Sequence, residues 1–204
     1  MPICPRADYE REMSSTSLKS SSATRLRSVP IIVGTVVLAA IVGAAQSSVA
    51  ASVLCSVLVV LLVPCSLIDL ERRIIPNRIT GPGSLAAVVL GLALDPGGEP
   101  ARLLWAAIAG GFLLVTALAR PSGMGMGDVK LLGMMGLFLG RPVVVALLVA
   151  LLGSVVTGIV LARRHGVREA RKTGLPFGPY LAAGGILAAL TGAQIIHAYL
   201  SLRH

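Results

Sequence analysis

Long apolar runs separated by short polar breaks make up most of the chain after residue 28. Several runs approach the roughly 20 residues that cross a bilayer as a helix. They do not alternate between apolar and polar residues, as the strands of a membrane barrel do. Because a segment in lipid must satisfy its own backbone hydrogen bonds, the pattern predicts an all-α, polytopic membrane protein. About six to seven transmembrane helices are expected, over residues 29–45, 49–68, 84–94, 103–119, 129–139, 143–162 and 179–200.

The breaks between the runs suggest three parts. Residues 1–28 are polar and rich in serine, which favours a disordered cytoplasmic tail. Residues 29–48 form a first transmembrane anchor, although a basic stretch before an apolar run is also typical of a secretory signal. Residues 49–204 form the main membrane domain. Within it, Gly81-Pro82-Gly83 predicts a turn before the short third run.

The composition excludes several classes of protein. Only 13% of the residues are charged, against roughly 25% in soluble domains. The net charge of +9 could suggest nucleic-acid binding, but the basic residues cluster between apolar runs and only 3% of residues are aromatic. No nucleic-acid partner is expected. Cys4, Cys55 and Cys65 show neither a CxxC nor a metal-ligand spacing, so no disulfide framework, metal or cofactor is expected.

The distribution of basic residues predicts the orientation in the membrane. With the N-terminus in the cytoplasm, fifteen of the 18 Lys and Arg residues fall on the cytoplasmic side, and only Arg102, Arg141 and Arg203 fall outside. Cytoplasmic loops characteristically carry this excess of positive charge. The same orientation brings Asp69 and Asp128 to the cytoplasmic side from two different runs.

These two aspartates are the candidate catalytic residues. Asp69 ends one apolar run, and Asp128 follows the glycine-rich stretch Gly123-Met124-Gly125-Met126-Gly127. An acid beside hydrocarbon is costly, so it is a functional hypothesis by default. Two adjacent carboxyl groups share one proton, and the ionised member can activate a water that attacks a peptide bond polarised by the protonated member. Glycines beside the acid permit positive φ and a close approach of substrate backbone, or serve helix packing.

The motifs resemble those of a known family. Gly125-Met126-Gly127-Asp128 matches the G-x-G-D motif of intramembrane aspartyl peptidases, and Asp69 followed by Ile75-Pro76-Asn77 resembles the first-aspartate motif of bacterial type IV prepilin peptidases. Lys130-Leu131 after the second aspartate and Phe177-Gly178-Pro179 in the late loop also fit. The similarity covers roughly residues 49–200.

The resemblance implies a peptidase of the bacterial cytoplasmic membrane that serves type IV pili or protein secretion. It implies cleavage of the short basic leader of prepilins or pseudopilins at the cytoplasmic face, with Asp69 and Asp128 as the catalytic pair. Many family members also methylate the product, using a domain with paired CxxC motifs. This chain has neither those motifs nor room for that domain between its runs, so it resembles a peptidase-only member of the kind that serves tight-adherence (Flp-type) pili.

Other interpretations remain open. A proton- or cation-coupled transporter could use the same aspartates, although such sites usually lie at the bilayer midplane. A catalytically inactive assembly scaffold is a third possibility. Asp69 could pair with Arg72 or Arg73 as an ordinary interfacial acid, and Lys130 could be an interface anchor. The residues expected to bind the substrate or to shape the site are Gly125, Gly127, Lys130, Pro76, Asn77, Phe177, Gly178 and Pro179.

The charge asymmetry generates a test of topology. In a cysteine-free background, the single substitutions Arg78→Cys and Arg168→Cys should be protected from a membrane-impermeant thiol reagent in intact cells. Gly98→Cys should label, because its loop is predicted to lie outside. The measurement is the extent of labelling of the purified protein, and the reverse pattern would invert the orientation.

Overall fold

A computed structural model describes residues 30–119, 125–165 and 177–201. These residues form seven helices and no strand, which confirms the predicted all-α fold. The helices are α1 (Pro30–Ala44), α2 (Val49–Arg72), α3 (Asn77–Leu94), α4 (Glu99–Ala119), α5 (Met126–Leu139), α6 (Val143–His165) and α7 (Gly178–Ser201). The predicted tail, residues 1–28, lies outside the described residues, as do Gly123 and most of the basic loop before α7.

The chain divides into two units, residues 1–38 and residues 39–204. Of the first unit, the structure describes residues 30–38, which belong to α1. All the candidate site residues belong to the second unit.

In the part of the chain that the structure describes, three helices are long and apolar enough to cross a membrane: α2, α4 and α6. α1 and the part of α7 up to Thr191 are shorter apolar helices. Many large apolar side chains on these helices are exposed, for example Val60, Val115 and Leu152. In water such a surface would be unfavourable, whereas in a bilayer it faces lipid tails, so the exposed apolar surface agrees with a membrane protein.

The predicted turn at Gly81-Pro82-Gly83 is wrong, because α3 begins at Asn77 and continues through these residues to Leu94. A proline inside a helix removes one backbone hydrogen bond, yet packing against neighbouring helices can compensate for that loss. Gly83 is buried against α5, where an added Cβ would lie 2.5 Å from the sulfur of Met134. This glycine therefore serves close helix packing, which a local turn pattern does not reveal.

α5 lies at the centre of the second unit. It packs most extensively on α4, and also contacts α2, α3, α6 and α7. Its buried side chains surround it on several faces and include Leu131, Leu132, Met134, Met135 and Phe138. A helix that is buried all round is held by its neighbours along its length. Asp128, in the first turn of α5, is thereby placed on a rigid element.

An ion cluster lies at the end of the bundle where α3 leads into α4. The guanidinium of Arg102 donates to Oε2 of Glu99 at 2.9 Å and also pairs with Asp95. The Glu99 side chain is only 2% exposed, and its Oε1 has no hydrogen-bond partner among the described residues. Arg102 is therefore the cation that compensates a deeply buried carboxyl group.

Arg102→Met tests this cluster, because it keeps an aliphatic stem but leaves Glu99 buried without its cation. Removing one partner of a buried pair costs about 3–5 kcal/mol, so we expect a large fall in the free energy of unfolding. The measurement is the denaturation midpoint of the purified protein in detergent. The matched control is Arg141→Met, which removes an exposed arginine and should leave the midpoint nearly unchanged. Equal midpoints for both variants would contradict a stabilising role of Arg102.

Candidate active site

Asp69 occupies the last turn of α2 and is 6% exposed. The helix ends because Arg73 adopts the left-handed conformation (φ 53°), with its N–H donating to the Asp69 carbonyl at 2.8 Å. Arg72 in the same turn complements the negative end of the helix dipole. The aspartate side chain itself is therefore not used to cap its own helix.

Asp128 occupies the first turn of α5 and is 9% exposed. The sequence pattern placed it just before this helix, but α5 begins earlier, at Met126, with Gly125 as its N-cap. The backbone of Gly125 lies beside the Asp128 carboxyl group, because a Cβ added to Gly125 would lie 3.7 Å from Oδ2. A carboxylate in the first turn is also stabilised by the positive end of the helix dipole.

The two carboxyl groups lie within electrostatic range of each other. Neither has a cationic partner, because the ion pairs of the described residues are those of Arg102 with Asp95 and Glu99. Asp69 therefore does not form the expected alternative pair with Arg72 or Arg73 within that part of the chain. Two such carboxyl groups cannot both ionise comfortably, so they suit the sharing of one proton.

The segment that follows Asp69 packs directly against the glycine motif. Ile75 is buried, and an added Cβ on Gly127 would lie 2.9 Å from the Ile75 Cβ. Gly127 therefore serves close packing between the two motifs. Gly125 is exposed, with φ −78°, and an added Cβ there would meet nothing closer than 3.7 Å. Neither glycine has a positive φ. Among the described glycines, Gly140 has one.

Lys130 and Asn77 connect the starts of α5 and α3. The Lys130 Nζ donates to the Asn77 Oδ1 at 3.0 Å, and both side chains are exposed. Pro76, in extended conformation, precedes Asn77 as the N-cap of α3. Lys130 thus has a specific partner in addition to any interfacial role. The bond joins residues 53 positions apart, one from each motif.

Phe177-Gly178-Pro179 forms the start of α7. The N–H of Gly178 donates to Oδ2 of Asp69 at 3.0 Å, in a buried bond between residues 109 positions apart. Phe177 packs against the hydrophobic core, and Pro179 suits the beginning of a helix because a missing N–H costs nothing there. The sequence pattern associated this loop with the site, but no spacing signal pointed to a direct bond with Asp69.

Potential metal ligands do not cluster in the part of the chain that the structure describes: no group of three or more His, Cys, Asp or Glu side chains could hold a metal ion there. Cys55 and Cys65 are both free and buried within α2. Among the described residues, the site presents two buried carboxyl groups and the backbone N–H of Gly178.

Comparison with known proteins decides the family. The model of the type IV leader peptidase family matches residues 55–162, a range that contains both aspartates and ends before Gly178. The chain belongs to this family. Together with the apolar helices, family membership indicates an integral protein of the cytoplasmic (inner) membrane. No solved structure matches the chain.

Similar proteins carry the name prepilin leader peptidase/N-methyltransferase. The Bacillus subtilis protein is 37% identical over 150 residues, which cover 72% of this chain and 58% of the relative. The Aeromonas salmonicida protein is 36% identical over 152 residues (69% of this chain, 50% of the relative), and that of Stutzerimonas stutzeri 34% over 149 residues (68% and 50%). The chain thus spans about half the length of the curated relatives it matches.

The bond between Lys130 and Asn77 generates a double-mutant test. Lys130→Met and Asn77→Ala each remove one partner, and we expect each to lower the free energy of unfolding in detergent by about 1 kcal/mol, the contribution of one hydrogen bond. The double variant should be no less stable than either single variant, because both remove the same interaction. The exposed neighbour Arg78 provides the control: Arg78→Met removes a charge and leaves the bond intact. Strictly additive losses would mean that the two side chains act independently.

Proposed function

We propose that this protein is a membrane aspartyl endopeptidase that removes the leader peptide of type IV prepilins or pseudopilins. The observation that carries the proposal is the approach of Asp69 and Asp128, two buried carboxyl groups without a cationic partner among the described residues. Residues 55–162 of the same chain match the type IV leader peptidase family. Relatives named prepilin leader peptidase/N-methyltransferase support the choice of substrate.

The two aspartates act on one water molecule. The ionised carboxyl group takes a proton from water as the oxygen attacks the scissile carbonyl, and the protonated carboxyl group donates a hydrogen bond to the carbonyl oxygen. When the tetrahedral intermediate collapses, the C–N bond breaks and the amine leaves with a proton from the dyad. Gly125, exposed and open, leaves space for an extended substrate backbone beside Asp128.

The finer features of the proposal follow from charge and from motifs. Cleavage takes place at the cytoplasmic face, where most of the Lys and Arg residues lie. The chain carries both aspartate motifs and no CxxC motif, so we assign the peptidase step to it. Prepilins of the tight-adherence (Flp) type are the proposed substrates, and no cofactor takes part.

A transporter that uses the same aspartates is the alternative. Transport sites usually lie at the bilayer midplane between broken helices. Asp69 and Asp128 instead belong to the last turn of one helix and the first turn of another, and this position favours the hydrolysis of a segment that emerges from the membrane.

Asp69→Asn and Asp128→Asn test the dyad. Each variant keeps size and polarity but removes an ionisable group, so leader cleavage should fall by about 10²–10⁴-fold, the contribution of a positioned acid or base. The double variant should cost little more, because residues that act as a unit are non-additive. The measurement is the conversion of prepilin to mature pilin in membranes, at protein levels matched by immunoblotting.

Glu71→Gln is the control for this experiment, because Glu71 is exposed and lies two residues from Asp69. It should retain most of the activity. Robust cleavage by either aspartate variant would rule out the proposed mechanism. Proton flux into liposomes that contain the purified protein, lost in the same variants, would favour the transporter instead.

A further inference from the structure

The hydrogen bond from Gly178 to Asp69 uses the one donor that the start of α7 leaves available. The first N–H groups of a helix have no partner within the helix and must find one elsewhere. Pro179 has no N–H, while those of Tyr180 and Leu181 donate to the Phe177 carbonyl, each at 3.1 Å. The N–H of Gly178 donates instead to Oδ2 of Asp69, at 3.0 Å.

The same position excludes any side chain. A Cβ added to Gly178 would lie 2.6 Å from Oδ2, 2.9 Å from Cγ and 3.0 Å from Cβ of Asp69. Even an alanine would therefore displace the carboxyl group from its present place. The backbone of residue 178 thus both holds the carboxyl group and leaves room for it.

The donor is carried on a well-anchored element. Leu181, one turn into α7, is completely buried, and Phe177 packs against the hydrophobic core. α7 packs along both α2, which carries Asp69, and α6. A backbone N–H held by packing on both sides presents a fixed direction to the carboxyl group, and such supporting contacts determine the precision of a site.

We propose that Gly178 is the positioning residue for Asp69, so that the start of α7 is a third part of the peptidase site. Its N–H engages Oδ2 and fixes the rotamer of the carboxyl group, which leaves Oδ1 to accept a hydrogen bond from the attacking water. This role rests on the proposed function. It adds a donor from residues beyond the range that matches the family model, which ends at residue 162.

The direct test replaces one amide of the backbone by an ester. Cell-free synthesis of the full chain, with glycolic acid in place of Gly178, removes the N–H and adds no atom. The purified variant is reconstituted in liposomes and assayed on a purified type IV prepilin that the unmodified protein cleaves. We expect kcat to fall at least about tenfold, the effect of losing a hydrogen bond to a charged group. KM should change little, because the bond contacts Asp69 and not the substrate.

The matched control places the ester one turn later. The α-hydroxy analogue of leucine at position 181 removes the N–H that donates to the Phe177 carbonyl. It weakens the same helix start without touching Asp69, so its kcat should stay near that of the unmodified protein. Equal losses in the two ester variants would overturn the proposal, because they would reflect the integrity of the helix alone.

Two alanine variants give a second, independent comparison. Gly178→Ala should lose most of its kcat through the displaced carboxyl group. Gly185→Ala, in the same helix, meets the flexible side-chain ends of Met135 and Leu62, at 2.7 and 2.9 Å, and should keep its kcat. Denaturation midpoints in detergent show whether each variant is folded. If Gly178→Ala is unfolded, the comparison of the two ester variants alone tests the positioning role of Gly178.

The outcome separates this inference from the proposed function. If Asp69→Asn is inactive and the ester at 178 retains kcat within about twofold, the positioning role is wrong while the dyad stands. If Asp69→Asn is active, the dyad itself fails. Loss of kcat in the ester at 178, with the ester at 181 active and Asp69→Asn inactive, supports both.

Discussion

The site depends on how two carboxyl groups are kept buried, within electrostatic range of each other, at the ends of apolar helices. An unpartnered charge in such surroundings is expensive, and two like charges increase the cost. Here the support comes from the backbone: the N–H of Gly178 donates to Asp69, and Asp128 lies at the positive end of the α5 dipole. A neutral donor stabilises a carboxyl group without holding it in an ion pair. The group therefore remains able to gain and lose a proton.

The acids at the α3–α4 connection are treated differently. Asp95 and Glu99 share the guanidinium of Arg102, and Glu99 is almost completely buried. A carboxylate paired with a cation contributes to structure, because losing the cation would leave a buried charge. Within the described residues, the chain thus combines cation-paired acids in one cluster with acids that have no cationic partner in another. This contrast supports a chemical role for the second cluster.

Three regions distant in sequence converge at the candidate site. They are the end of α2 with the adjoining stretch from Ile75 to Asn77, the start of α5 and the start of α7. Ile75 packs on Gly127, Lys130 donates to Asn77, and Gly178 donates to Asp69. Because α5 contacts α2, α3 and α7, its position sets the geometry of all these contacts. A change in the packing of α5 would therefore be felt at both aspartates.

The sequence by itself determined the all-α membrane fold, the two aspartates and the motifs around them. Hydrophobic runs and glycine-acid patterns are local, and local patterns can be read along the chain. Only the tertiary structure decided that α3 continues through Gly81-Pro82-Gly83, that Arg102 holds Glu99, and that Gly178 binds Asp69. These features depend on which helix faces meet, and the bond from Gly178 joins residues 109 positions apart. Helix packing brings such residues together, and no spacing along the chain encodes it.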